Sequence, residues 1–282
     1  MIGSLVGSYL ADVYGRRPVI IWCTVIGAVL TFATGFAAGA EMIIVLRLIG
    51  GLAIGGLLAP AWSINIESMP KGRKATAVTI IMLGFSVGGA LAGQVTNFLA
   101  PHHGWQSVFF TCGAGTFALA LVLLFTLPES VRWMVAENKP AARIVKALSR
   151  FDPVTASGTF SGFTLPDEPR TQGESPWAKT AQLFKGTLAA ITPIIWVTYL
   201  FSSFAIYLRS SYGILFLEQL GVNRIEGTNI GSFGGLVGAV GAVFLLKFTE
   251  KRGPQWIALA PVIGVLAMLV VGWGLTSGPW FL

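Results

Sequence analysis

The chain has 282 residues, of which 54% are hydrophobic and only 11% are charged. Soluble domains carry about 25% charged residues, so this composition excludes an ordinary soluble protein and predicts an α-helical protein with several membrane spans. The net charge of +7 does not indicate a nucleic-acid-binding protein, because the basic residues stand between apolar runs, where they set membrane topology. Cys23 and Cys112 lie inside apolar runs and predict buried thiols, not a disulfide framework.

A series of apolar runs follows along the chain, interrupted by polar gaps. A bilayer core requires about 20 apolar residues per helix, so the first run is part of a span and the later runs are complete spans. The predicted spans are 1–11 (partial), 18–40, 42–66, 75–99, 105–127, 187–217, 226–247 and 255–276.

The basic residues are distributed unevenly between the two sides of the predicted membrane. Gaps rich in lysine and arginine face the cytoplasm in multi-pass proteins. Of the 19 lysines and arginines, all but Arg47, Arg209 and Arg224 lie in or beside one alternating set of gaps, which we predict to be cytoplasmic. This set consists of 12–17, 67–74, 128–186 and 248–254.

The segment 134–186 is polar and rich in proline, and it contains no run long enough to span a membrane. We predict a cytoplasmic central loop here, which separates an N-terminal helical bundle (1–133) from a partial C-terminal bundle (187–282). Glu250 and Gly253 in "FTEKRGPQ" (248–255) repeat the spacing of Asp12 and Gly15, and this repeat agrees with two related halves joined by a long cytoplasmic loop.

A short basic amphipathic helix is predicted inside this loop, because Pro140 suits the first turn of a helix. Two interpretations remain open, namely a helix that lies on the cytoplasmic membrane surface and a linker helix in solution. Its apolar face consists of Ile144, Val145, Leu148 and Phe151, and its basic face of Arg143, Lys146 and Arg150.

Several predicted spans carry glycines four residues apart, which lie on one helix face and let helix backbones approach closely. We interpret these pairs as packing surfaces. They are Gly51 and Gly55, Gly84 and Gly88, Gly89 and Gly93, Gly231 and Gly235, and Gly234 and Gly238.

The gap between the first two spans carries the stretch "SYLADVYGRRP" (8–18). Gly15 permits a tight turn, and Asp12 is placed to pair with Arg16, Arg17 or a nearby helix N-terminus. The order of these residues resembles the signature loop of the major facilitator superfamily, in which a small residue and Leu-Ala-Asp precede a glycine and two basic residues.

Further stretches resemble motifs of the same superfamily, in the expected order. "RLIGGLAIGG" (47–56) is similar to the fourth-helix motif, and "ESMPKGR" (67–73) to the Glu-x-x-Pro-x-x-Arg at the cytoplasmic end of that helix. "HGWQSVFF" (103–110) resembles the opening of helix six, and "LPESVRWM" (127–134) its close. The resemblance covers essentially the whole chain.

Within the superfamily the chain is most similar to the aromatic acid:proton symporters, bacterial carriers of benzoate-like acids. The similarity rests on "LPESVRWMVAENK" (127–139) and "WVTYLFSSFAIYLRSSY" (196–212). The superfamily has twelve helices, and this chain matches helix two, from its middle, through helix nine. We therefore expect an all-α, polytopic membrane protein with a partial major-facilitator fold, truncated at both ends.

The resemblance also implies a site for substrate binding or coupling, with Arg47, Glu67, Trp105 and Gln106 as candidates. Arg47 is expected to attract a substrate carboxylate or to assist proton transfer, and the alternative is that it snorkels to the outer surface. Glu67 is expected either as a solvated acid at a helix end or as a partner of Arg73 or of the Asp12 loop. The expected cytoplasmic latch consists of Asp12, Gly15, Arg16 and Arg17.

The sequence contains no Gly-x-x-x-x-Gly-Lys-Ser/Thr phosphate loop, no nucleophile elbow and no metal-ligand cluster, and His102 and His103 are interpreted as solvated residues of a short outer loop. We expect neither an enzyme nor a cofactor or metal. The resemblance implies a secondary transporter of the bacterial inner (plasma) membrane, with proton-coupled uptake of small aromatic acids by alternating access. The expected partners are a small organic anion, a proton and the lipid bilayer, without nucleic acid. A sugar or other solute facilitator of the same superfamily, or a non-transporting truncated remnant, are the alternatives.

Overall fold

The structure is a computed structural model that describes residues 2–70, 73–149, 160, 163, 184–186, 188–252, 263–266 and 269. Every regular element among these residues is a helix, which confirms the predicted all-α fold. The helices are α1 (Ile2–Tyr14), α2 (Arg16–Thr34), α3 (Ala40–Ser68), α4 (Lys74–Thr126), α5 (Val131–Ala136), α6 (Ala141–Leu148), α7 (Leu188–Gln219) and α8 (Arg224–Arg252).

Five of the described helices, α2, α3, α4, α7 and α8, are long and apolar enough to cross a membrane. The partial first span corresponds to α1, which has 13 residues. The predicted span 255–276 lies outside the described residues, apart from 263–266 and 269.

The helix α4 contains two spans. Its 53 residues would extend about 80 Å if straight, whereas a bilayer core is about 30 Å thick. Gly104 interrupts it with a φ of 75° and a ψ of 166°, so the chain reverses there and the two parts match the predicted spans 75–99 and 105–127. The predicted outer loop between them is wrong in extent, because His102 and His103 are helical. Hydropathy marks where a helix leaves the lipid, but the backbone hydrogen bonds continue beyond that point.

The connection between α1 and α2 is also shorter than the predicted gap 12–17. Only Gly15 is outside the two helices, and its φ of 102° is a conformation that glycine adopts without strain. The N–H of Gly15 still donates to the Ala11 carbonyl oxygen at 3.1 Å, so α1 is hydrogen-bonded to its last turn. The charged residues on either side therefore project from helix ends, and their positions are fixed by the helices.

The described chain divides into two compact units. The first comprises Met1–Thr126 and Ser232–Leu282, and the second comprises Leu127–Gly231. In the first unit α2 packs against α3 and α4, and α1 packs against α3. Small side chains such as Ala28, Ala77 and Ala120 are fully buried there, while large apolar side chains are exposed. That distribution is expected of helices in lipid, which solvates large apolar residues as well as a protein core does.

The helices α1 and α3 cross at glycines. A Cβ atom added to Gly7 would overlap the backbone of Gly56, and one added to Gly3 would overlap the backbone of Leu52. Gly55, a member of a predicted pair, also faces this crossing, since an added Cβ would lie 3.3 Å from the Ser4 nitrogen. Among the described residues, most other glycines of the predicted pairs have no neighbour within 4 Å of such a Cβ: Gly51, Gly84, Gly88, Gly89, Gly231, Gly234 and Gly238.

The second unit contains a compact pair of short helices. Ser130 caps α5 by accepting a hydrogen bond from the Trp133 N–H at 3.1 Å, which satisfies a donor that the helix start leaves open. The helix α6 lies inside the predicted amphipathic segment and packs on α5, with Ile144 and Met134 both buried. Part of its apolar face is therefore covered by protein. Phe151 and Arg150 lie outside the described residues.

Candidate functional site

Charged side chains meet in the first unit at the ends of α2 and α3 that the sequence predicts to face the cytoplasm, which are called the inner ends here. Arg16 forms an ion pair with Glu67, and the two side chains are only 15% and 18% exposed. The adjacent Arg17 donates from Nη2 to the Leu124 carbonyl oxygen at 2.5 Å, near the end of α4. The start of α2 thereby ties together the inner ends of α3 and α4.

The structure thus brings the predicted latch residues and Glu67 to one place. Asp12 lies in the last turn of α1 and Gly15 makes the turn that follows it, so both flank the two arginines. The sequence left two partners open for Glu67, namely Arg73 and the Asp12 loop. Its observed partner, Arg16, belongs to that loop. The arrangement is an inner-face charge cluster, defined here as Asp12, Arg16, Arg17 and Glu67.

We expect Arg16 and Glu67 to be energetically coupled. Neutralising either residue removes the ion pair and keeps one charge in a place shielded from water, whereas neutralising both removes the two charges together. In a double-mutant cycle of R16Q, E67Q and the double variant, the coupling free energy should be about 0.5–3 kcal/mol, measured by thermal unfolding in detergent. Additive effects of the two single substitutions would contradict this prediction.

A second arrangement lies near the start of α3 and directly after the Gly104 turn of α4, also within the first unit. The Cζ atom of Arg47 lies over the Phe109 ring, 4.7 Å from its centroid. The Trp105 ring meets the Phe109 ring edge to face, with centroids 5.7 Å apart and planes at 79°. We call Arg47, Phe109 and Trp105 the outer arginine–aromatic cluster.

The turn at Gly104 positions this cluster. Because helical hydrogen bonding resumes directly after Gly104, Trp105 and Phe109 stand four residues apart on one helix face. Gln106 is exposed beside them, and its Oε1 atom would lie 2.8 Å from a Cβ at Gly104. A side chain at position 104 would therefore disturb both the turn and Gln106.

The structure brings together some of the predicted site residues and separates others. Arg47 and Trp105 meet through Phe109, and Gln106 is adjacent. Glu67 lies roughly 30 Å from Arg47 along α3, so it belongs to the inner-face charge cluster and not to the outer one. Phe109 is absent from the predicted site, although its four-residue spacing from Trp105 is visible in "GWQSVFF".

The outer cluster keeps its positive charge. Among the residues that the structure describes, no carboxylate lies within ion-pairing distance of Arg47, whose side chain is exposed. No group of three His, Cys, Asp or Glu side chains suited to a metal ion occurs in the described part of the chain. The arrangement can therefore offer an anion a guanidinium fork beside two aromatic rings.

A separate apolar cavity of about 400 Å³ lies between α2 and the second part of α4. Its lining offers no charged side chain and no hydrogen-bond donor on a side chain, so a carboxylate placed there would lose its hydration without replacement. We therefore exclude it as the binding place of an organic anion. The lining residues are Ala28, Val29, Phe32, Ala33, Phe36, Gly113, Ala114 and Phe117.

The long apolar helices and their exposed large apolar side chains are those of a multi-pass α-helical membrane protein. The profile of the Major Facilitator Superfamily matches residues 1–282, and the chain belongs to this family. The predicted family, the partial major-facilitator fold and the localisation, a multi-pass protein of the bacterial inner membrane, are thereby confirmed.

Relatives within the family include a gallate transporter of Pseudomonas putida, which is 32% identical over 272 residues, 96% of this chain and 59% of its own length. The 4-hydroxybenzoate transporter PcaK of Pseudomonas aeruginosa is 30% identical over 243 residues, 85% of this chain and 53% of its own. The chain thus spans somewhat more than half the length of these relatives. The xylose transporter XylE from E. coli shares the fold, with a TM-score of 0.59 and 18% identity over 89% of this chain and 60% of that one.

Proposed function

We propose that the chain acts in secondary active transport, as a proton-coupled carrier that takes up small aromatic acids. The observation that carries this proposal is the outer arginine–aromatic cluster. Arg47 offers a bidentate donor fork to a carboxylate, and Trp105, which contacts the Phe109 ring, offers an aromatic face to a ring. A benzoate-like molecule has both features, whereas a sugar has no charge to match the guanidinium.

The relatives support the same substrate class. The names of two relatives that match most of this chain refer to gallate and to 4-hydroxybenzoate, which are both aromatic carboxylates. We propose that this chain shares that class, with a small organic anion and a proton as its partners in the bilayer. The proposal assigns it transport and no catalysis.

The proposed mechanism is alternating access between the predicted bundles 1–133 and 187–282, joined by the central loop 134–186. The inner-face charge cluster serves as the latch. The ion pair of Arg16 and Glu67 ties the inner ends of α2 and α3 in this latch, and protonation of acidic side chains biases the equilibrium between the two states. Such a step gives proton binding a different free energy in the two states, which coupling requires.

The test is uptake of labelled 4-hydroxybenzoate into proteoliposomes that contain the chain, with and without an inward proton gradient. We expect accumulation above the external concentration only with the gradient, and its loss when a protonophore is added. Uptake that equilibrates but ignores the gradient would reject proton coupling. Counts no higher than in protein-free liposomes would reject transport by the chain itself.

A panel of unlabelled competitors distinguishes the substrate class in the same assay. We expect benzoate and gallate at tenfold excess to reduce the uptake of labelled 4-hydroxybenzoate, and xylose or glucose at the same excess to leave it unchanged. Competition by the sugars alone would support the facilitator alternative, because a sugar site does not depend on a carboxylate.

A further inference from the structure

The contact between Arg47 and Phe109 restrains a cation without neutralising it. An acidic partner would hold the guanidinium through its N–H groups and cancel its charge, but the Phe109 ring attracts the cation through its quadrupole. The guanidinium has five N–H donors, and an aromatic face uses none of them in a conventional hydrogen bond. Arg47 is therefore held in place with its donor fork and its charge available.

Phe109 is itself held from the other side. Trp105 contacts it edge to face at a centroid distance of 5.7 Å, a preferred geometry for an aromatic pair. Both residues follow the Gly104 turn in the same helix, so the turn sets the positions of both rings along the axis of α3. The three side chains form a series in which the backbone turn positions Trp105, Trp105 positions Phe109, and Phe109 positions Arg47.

We propose that Phe109 is a positioning residue for Arg47, whose side chain it holds ready for the carboxylate of the substrate. This inference rests on the proposed function and deepens it. A long arginine side chain has large rotamer entropy, and ordering it before the ligand arrives lowers the cost of binding. Phe109 then contributes to affinity without touching the anion.

The first test measures the binding of labelled 4-hydroxybenzoate to the chain in nanodiscs, so that no transport step is required. The substitution F109L keeps a large apolar side chain but removes the aromatic ring, and F109Y keeps the ring. We expect F109L to raise the Kd by about 2- to 5-fold, in line with a cation–π contact of an exposed cation, and F109Y to stay within about 1.5-fold of the unsubstituted chain. F98L is the matched control, because Phe98 is an exposed ring in the same helix whose described ring contact is with His102.

The second test observes Arg47 directly in chain labelled with ¹⁵N-arginine, with R47K assigning its side-chain resonance. A guanidinium stacked on a ring has an upfield-shifted resonance, so we expect this shift in the unsubstituted chain and in F109Y, and its loss in F109L. This readout needs no ligand and reports the positioning even if the chain transports nothing.

The outcomes separate the inference from the proposed function. The inference is supported if the unsubstituted chain binds 4-hydroxybenzoate, its Arg47 resonance is shifted upfield, and F109L is the one variant of the three at Phe109 and Phe98 with a raised Kd. This holds whether or not proteoliposomes accumulate substrate. An unshifted Arg47 resonance, or equal Kd values for F109L and F98L, overturns it. Absence of any aromatic-acid binding in the unsubstituted chain overturns both the proposed substrate class and the role of Phe109 in carboxylate capture.

Discussion

Replacing Arg47 by glutamine is expected to lower the uptake of 4-hydroxybenzoate by about 10- to 100-fold, because hydrogen bonds to a charged group contribute about 1.5–3 kcal/mol. Glutamine keeps the length and some donors of the side chain but loses the charge and the planar fork. The measurement is the initial rate in proteoliposomes over a range of substrate concentrations. If Arg47 acts by capturing the anion, most of the loss should appear as a raised KM.

Two further variants make this prediction specific. R47K keeps the charge as a compact ammonium without the bidentate fork, so we expect an intermediate loss. Arg209 is the matched control, since it is an exposed arginine of the membrane helix α7. R209Q should retain uptake within about 2-fold of the unsubstituted chain. Equal losses in R47Q and R209Q would show that the net charge of the chain matters and that the position of Arg47 does not.

Replacing Gly7 by alanine should destabilise the folded chain by about 1–3 kcal/mol or more, since the added methyl group overpacks a well-filled interface. The new Cβ overlaps the backbone of Gly56, and a backbone cannot swing aside as a side chain can. The helices α1 and α3 must therefore separate. The expected result is a lower thermal unfolding midpoint in detergent, with less monodisperse protein recovered.

The control for G7A is the same substitution at a helical glycine that has open space around it. Alanine is favoured over glycine in a helix by about 1 kcal/mol, so the same substitution at an open position should be neutral or stabilising. Gly51 and Gly84 are such positions, because an added Cβ meets no described atom within 4 Å. If G7A were as stable as G51A and G84A, the close crossing of α1 and α3 would be contradicted.

Several features of this fold follow from local sequence. The described spans lie where the sequence predicts them, with ends that differ by up to about six residues, because the bilayer sets the required length and apolarity of each helix independently of its neighbours. The turn at Gly15 was predicted as well, since a glycine between two spans permits the positive φ that a tight reversal requires, and the structure shows the same device at Gly104. The helix ends were less accurate, and Asp12 and His102 proved to be helical.

The sequence by itself determined the helical architecture, because apolarity acts against an external reference, the lipid sheet, and its motifs indicated the family. Only the tertiary structure decided which side chains meet: Arg16 with Glu67, Arg47 with Phe109, and Gly7 with Gly56. Those contacts depend on how each helix is rotated and where it crosses its neighbour. Apolar patterning does not reveal that rotation in a membrane protein, since lipid and the packed interior are similarly apolar.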